Sequence, residues 1–123
     1  MGGTIDKTLF VRVQMMNSIR KGIKNVLEII ASKEEQLTYR ENVPTADVPV
    51  ELLCMWFDDC YHPNSSQHRN AFSIEEQTIL SEFNEFYDER VDKLPKNFDE
   101  LQTNPEWGEI VNEAKKVLDI IKW

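Results

Sequence analysis

The chain has 123 residues, of which 41% are apolar and 29% charged, and it carries a formal net charge of −8. That length suits one helical domain, 1–123, with enough core to fold without a metal or disulfides, and the apolar content excludes a disordered chain. No apolar run approaches the roughly 18 residues of a membrane span, and four glycines are too few for a turn-dense all-β design.

The charge is unevenly spread. Residues 1–50 hold seven Lys/Arg and six Asp/Glu, a net of +1, whereas residues 51–123 hold seven and sixteen, a net of −9. This asymmetry excludes nucleic acid and anionic membranes as expected partners and points to a basic protein surface. The N-terminus lacks the basic-then-apolar order of a secretory signal. Asp6 stands where a myristoylation pattern needs Ser or Thr. Cys54 and Cys60, six residues apart on one predicted helix, face different ways and are not expected to pair. Two unpaired thiols fit a reducing cytoplasm.

In chain order, Leu9, Met16, Ile23, Ile30 and Leu37 recur every seven residues, flanked by Ile5, Ile19, Val26 and Leu27. The pattern predicts a long first helix, capped by Thr4 and stopped at Asn42 before Val43-Pro44. Unbroken, it would be about 50 Å long against a domain about 35 Å across, so a kink is expected at Asn17-Ser18 or Gly22. Arg12 would otherwise fall inside the apolar stripe. Partial alternation over residues 9–15 leaves a short strand as the alternative there.

Asp47 and Pro49 start a second helix. It is apolar nearly all round through Val50–Phe57, is expected to be the central buried helix, and ends before Pro63. Residues 62–72 read as the longest loop. Ser73 and Glu76 form a capping box for a third helix reaching Leu94, with Ile79, Leu80, Phe83, Phe86, Tyr87, Val91 and Leu94 facing the core. Phe98 and Leu101 tuck against that core. Asn104-Pro105 opens the last helix, whose apolar face is Trp107, Ile110, Val111, Ala114, Val117, Leu118 and Ile121. The expected architecture is an all-α, compact bundle of four or five helices.

The best-defined surface feature lies on the third helix. Glu75, Glu82, Glu85, Asp88, Glu89 and Asp92 fall within an arc of roughly 140° opposite the aromatic core face. Like charges at this spacing weaken an isolated helix, so local stability does not explain them. Either they form a solvated face or they meet a basic partner. Pairing with the basic residues of the first helix, Arg20, Lys21 and Lys24 with Lys7 in line, would occupy part of the stripe.

A second candidate is Trp56–Pro63 with His68. Asp58, Asp59 and Tyr61 combine acids with aromatics, as at an interface centre, and extend the acidic surface. Cys54, Cys60, His62 and His68 lack the two tight ligand pairs of a structural zinc site. The simpler account places Cys54 in the core and His62 at the helix end. Ser65, Ser66 and Ser73 have no nucleophile elbow, and no phosphate-binding glycine loop occurs. No catalytic residue, metal or cofactor is assigned.

In size, charge and helical architecture the chain resembles the small acidic immunity proteins that protect bacteria from nuclease toxins. The nearest local likeness is Asn84-Glu85-Phe86-Tyr87-Asp88-Glu89. The Tyr-rich acidic motif that the helical immunity proteins carry at a helix junction is missing. The resemblance implies a non-catalytic inhibitor that masks a basic, phosphate-binding surface. The alternatives are a self-associating helical protein, pairing with a second copy through the heptad seam and its Trp residues, and a metal-dependent enzyme using Asp58, Asp59, His62 and His68.

Overall fold

The computed structural model describes the backbone of residues 7–123 and the side chains of residues 17–123. The fold is all-α, with seven α-helices among the described residues and no strand. They are α1 (Lys7–Ile30), α2 (Lys33–Asn42), α3 (Val48–Cys54), α4 (Ser66–Ala71), α5 (Ile74–Arg90), α6 (Phe98–Thr103) and α7 (Pro105–Ile120). A π-helical turn, Met55–Cys60, continues α3, and a 3-10 turn, Val91–Lys93, continues α5. The count exceeds four or five because the long first helix is divided and two connections contain short helices of their own. No described helix is long and apolar enough to cross a membrane.

The first helix breaks at Ala31-Ser32, not at Asn17-Ser18 or Gly22. Ser32 Oγ accepts from the Glu35 N–H at 3.1 Å and starts α2 as its N-cap. Gln36, one turn on, is buried and completes the corner. Its Nε2 donates at 3.0 and 2.9 Å to the carbonyls of Ile29, which also accepts from the Ser32 N–H, and Ile30, helping to satisfy the last oxygens of α1. Its Oε1 accepts from Gln102 Nε2 at 2.8 Å and Trp107 Nε1 at 3.1 Å. The corner resets the helical register, so Leu37, expected in the seam, is 42% exposed and Gln36 faces inward. Residues 9–15 are helical rather than a strand. The Thr4 cap and the side chain of Arg12 lie outside the described residues.

The centre of the fold is α1, which packs on α2, α4, α7 and the π-helical turn. Ile23, Leu27 and Ile30 are fully buried there. The second predicted helix is therefore not the central one. Only Val48, Pro49 and Leu52 of α3 are buried, Val50 is 45% exposed, and Cys54 is half-buried rather than in the core. Asp47 and Pro49 start α3 as expected. That helix ends at the π-helical turn, and Tyr61, not His62, closes it. The predicted 62–72 loop contains α4, because Ser65 Oγ caps it by accepting from the His68 N–H at 3.1 Å.

Downstream the capping signals are met. Ser73 and Glu76 form the reciprocal box at the start of α5. This helix keeps α geometry to Arg90 and tightens to 3-10 through Lys93. Asn97 caps α6, and Asn104 with Pro105 opens α7. Leu80, Phe83, Tyr87, Leu101, Trp107, Ile110, Val111, Ala114 and Val117 join the residues of α1 in one contiguous core.

Candidate protein-binding site

The α5 carboxylates are sorted by two arginines. Arg20 on α1 holds Glu76 with two hydrogen bonds of 2.9 and 3.1 Å and also donates to the carbonyls of Ala71 and Lys122. Its guanidinium lies 5.1 Å from the Phe72 ring centroid and 5.8 Å from that of Trp123. The Arg20 hydrogen bond holds the Glu76 carboxyl below its ordinary value, outweighing the opposing effect of burial. The basic residues of α1 thus reach α5, but at Glu76, which points away from the stripe. Lys21 and Lys24 line a separate surface cleft with Arg20 and Trp123. Lys7 lies outside the described side chains.

Arg90 also turns from the stripe. Its guanidinium sits 3.5 Å over the Phe86 ring and binds Glu109 at 3.1 Å and Glu106 at 3.5 Å on α7. Its contact with Glu89 is longer, 3.7 Å. Glu75, Glu82, Glu85, Asp88 and Asp92 are exposed and make no ion pair with the described residues.

The π-helical turn shapes the ground beside this face. The Tyr61 N–H donates to the Trp56 carbonyl, five residues back, at 3.0 Å. In an α-helix, side chains five apart diverge by about 140°. Here the Tyr61 ring stacks on Trp56, centroids 4.9 Å apart and planes within 10°. Trp56 Nε1 in turn donates to Asn84 Oδ1 at 3.0 Å, pinning α5 to the turn. Single π turns recur at functional sites.

Tyr61, though only 7% exposed, lines a groove of about 540 Å³ against α5, with Glu82 and Glu85 on the facing wall. His68 and Ile74 line it too. Three predicted site residues are therefore brought together: Tyr61, Glu82 and Glu85. Asp58 and Asp59 are exposed on the neighbouring π-helical turn and do not line the groove. Glu75, Asp88 and Glu89 lie along α5 outside it, and Asp92 lies on the 3-10 turn that continues α5. The immunity-like stretch Asn84–Glu89 is split: Tyr87 is buried in the core and Phe86 half-buried under Arg90, so only its acids face out.

His68 reads from the sequence as a loop residue and as one of the residues of the metal-enzyme alternative, but its burial was unmarked. It is 2% exposed, packed edge-on to Tyr61 and against Phe72, and neither ring nitrogen has a hydrogen-bond partner. Burial, and secondarily the charge of His62, pushes its pKa down, so it is neutral at neutral pH. Ile74, 81% exposed at the head of α5, was likewise unmarked. The available signal was its position after the capping Ser73, off the core stripe.

His62, Asp58 and Asp59 are exposed while His68 is buried, and no group of three or more His, Cys, Asp or Glu among the described residues could hold a metal. The Cys60 thiol is pushed up to about 12, by burial first and by Asp59 second. Cys54 is raised too, by burial and then by Asp58. Both are poor thiolate nucleophiles. No family model, curated protein or solved structure matches the chain.

Proposed function

We propose that this chain is a non-catalytic acidic binding protein that masks a basic surface on a protein partner, and that it works as an immunity-type inhibitor of a bacterial nuclease toxin in the cytoplasm. The observation carrying the reading is the disposition of charge on α5. Arg20 and Arg90 are engaged with other carboxylates, leaving Glu75, Glu82, Glu85, Asp88 and Asp92 exposed and without ion pairs to the described residues. A row of carboxylates on a rigid helix presents negative charge as a nucleic-acid backbone does, and a phosphate-binding nuclease surface is complementary to it. Asp58 and Asp59 contribute two further exposed carboxylates on the π-helical turn to this reading.

Affinity capture from the cells of origin, at low and high salt, tests the reading. A stoichiometric basic protein that elutes with salt is expected. Reversing Glu82, Glu85 and Glu89 to Lys should slow association by about tenfold or more, since complementary charge acts on the encounter rate. The helical circular dichroism should stay unchanged because all three side chains are exposed. Unchanged affinity at low salt would remove α5 from the interface.

A further inference from the structure

We propose that His68 is an acid-sensitive latch: when its ring takes up a proton, residues 62–72 lift off α1 as a unit while the rest of the core stays folded. The inference stands independently of the acidic-face reading, since it needs no partner.

The surroundings of the ring come first. His68 is 2% exposed, lies edge-on to Tyr61 with centroids 5.4 Å apart, and is tilted against Phe72 at 5.0 Å. Neither ring nitrogen has a hydrogen-bond partner. A neutral imidazole carries one N–H donor and one lone pair, and buried polar groups are as a rule paired. Here both are unmet, whereas water would serve both. An apolar side chain would fill the place without that penalty. The closed position is therefore unfavourable for neutral His68, and more so for the imidazolium, which would bring an unpaired charge into an aromatic cluster.

The charged groups around the ring give no relief. Its own segment supplies His62 and Arg69, the latter bonded to the Asn64 carbonyl. Arg20 of α1 lies over the Phe72 ring and is bonded to Glu76 of α5. Glu82 and Glu85 of α5 line the groove outside, from which the ring nitrogens are sealed. Asp58 and Asp59 of the π-helical turn are exposed, and burial keeps the Tyr61 phenol neutral. Burial first, and His62 second, hold the His68 pKa below the ordinary 6.5. Once the segment lifts, the ring meets water and the ordinary value returns, so acid favours the lifted state.

The chain geometry lets the segment move alone. The backbone is extended at Tyr61 on one side and at Phe72 and Ser73 on the other, so it hinges without unwinding the π-helical turn or α5. Between these hinges α4 has only six residues and packs on α1. Gln77 Nε2 ties the segment to α5 through the carbonyls of Arg69 and Phe72, and Arg20 ties it to α1 through that of Ala71. Water replaces all three bonds. The packing of α7 on α1, α5 and α6 does not pass through the segment.

Amide hydrogen exchange of the full chain, corrected for the intrinsic rate at each pH, tests the latch. The Arg69 and Phe72 amides, bonded to the carbonyls of Ser65 and His68, report on the segment. The amide of buried Ala31, bonded to Leu27, reports on the core. Arg69 and Phe72 are expected to be less protected than Ala31 by about tenfold or more. Their protection should fall as pH drops below 6.5, by up to about tenfold per unit, the slope of one proton. His68→Phe should remove the fall, as should the smaller replacement His68→Leu, while His62→Gln should keep it. Equal protection of the three amides would mean that the segment opens only with the whole molecule. A fall that persists in both His68 variants would assign the proton to another group. Either result overturns the latch, as does protection that stays level below 6.5.

Discussion

Arg20 and Arg90 divide the carboxylates around α5 between fold and surface. Each is partly sequestered, braced on an aromatic ring and bonded to an acid on another helix or turn. The basic face of α1 and the acidic stripe of α5 were both visible as sequence, but which acid each arginine takes depends on helix packing and was not. His68 is the residue whose environment carries the clearest titration consequence. Burial lowers its folded pKa below the ordinary 6.5, so the unfolded chain takes up the proton first as pH falls. The stability contributed by neutral His68 is fully present above 6.5 and is lost as pH falls from there through the folded value. His62, Tyr61, Glu82 and Glu85 are the titratable neighbours, and the His62 charge acts in the same direction as burial. Urea unfolding is expected to show this slope below 6.5. His68→Phe should flatten it, and His62→Gln should retain most of it.

Among the elements, those governed by local chemistry were legible. Asp47-Pro49, Ser73 with Glu76, and Asn104-Pro105 mark starts that the structure reproduces, because a cap is satisfied within four residues. The break in the first helix falls at the capping sequence Ser32-Lys33-Glu34-Glu35 rather than at Asn17-Ser18 or Gly22, because a side-chain cap restarts a helix whereas a helical glycine or asparagine costs only propensity. Gly22 lies inside an uninterrupted α1, and a Cβ there would meet nothing within 4 Å. Gly22→Ala should therefore stabilise the chain by about 1 kcal/mol, read as a rise in the urea midpoint at constant slope. A kink at Gly22 would instead have made the substitution costly. The π-helical turn left no trace in the sequence, since Met55–Cys60 is as good an α-helix as a π turn. Tertiary demands set it: Trp56 reaches Asn84 while Tyr61 stacks back on Trp56.

At the scale of the molecule, the all-α class followed from period and composition, and the single core follows from how the apolar faces of α1, α5 and α7 converge. What sequence could not supply was long-range. The groove exists because α5 and residues 61–68 are brought together by Trp56, Tyr61 and Asn84, none of which announces its partner. The Gln36 corner is the furthest-reaching example, since its amide joins residues 66 and 71 positions away.

That corner also makes Trp107 a clock for the whole fold. Its indole proton is held by a buried amide whose other bonds run to the end of α1 and to α6. Solvent reaches it only when these helices part together. The indole of Trp123, half-buried and bonded to the Leu118 carbonyl only five residues back, needs only a local opening. In deuterated water, the Trp107 indole proton should exchange at the rate set by global unfolding, and that of Trp123 far sooner. Equal rates would mean that the helices around Gln36 separate piecemeal.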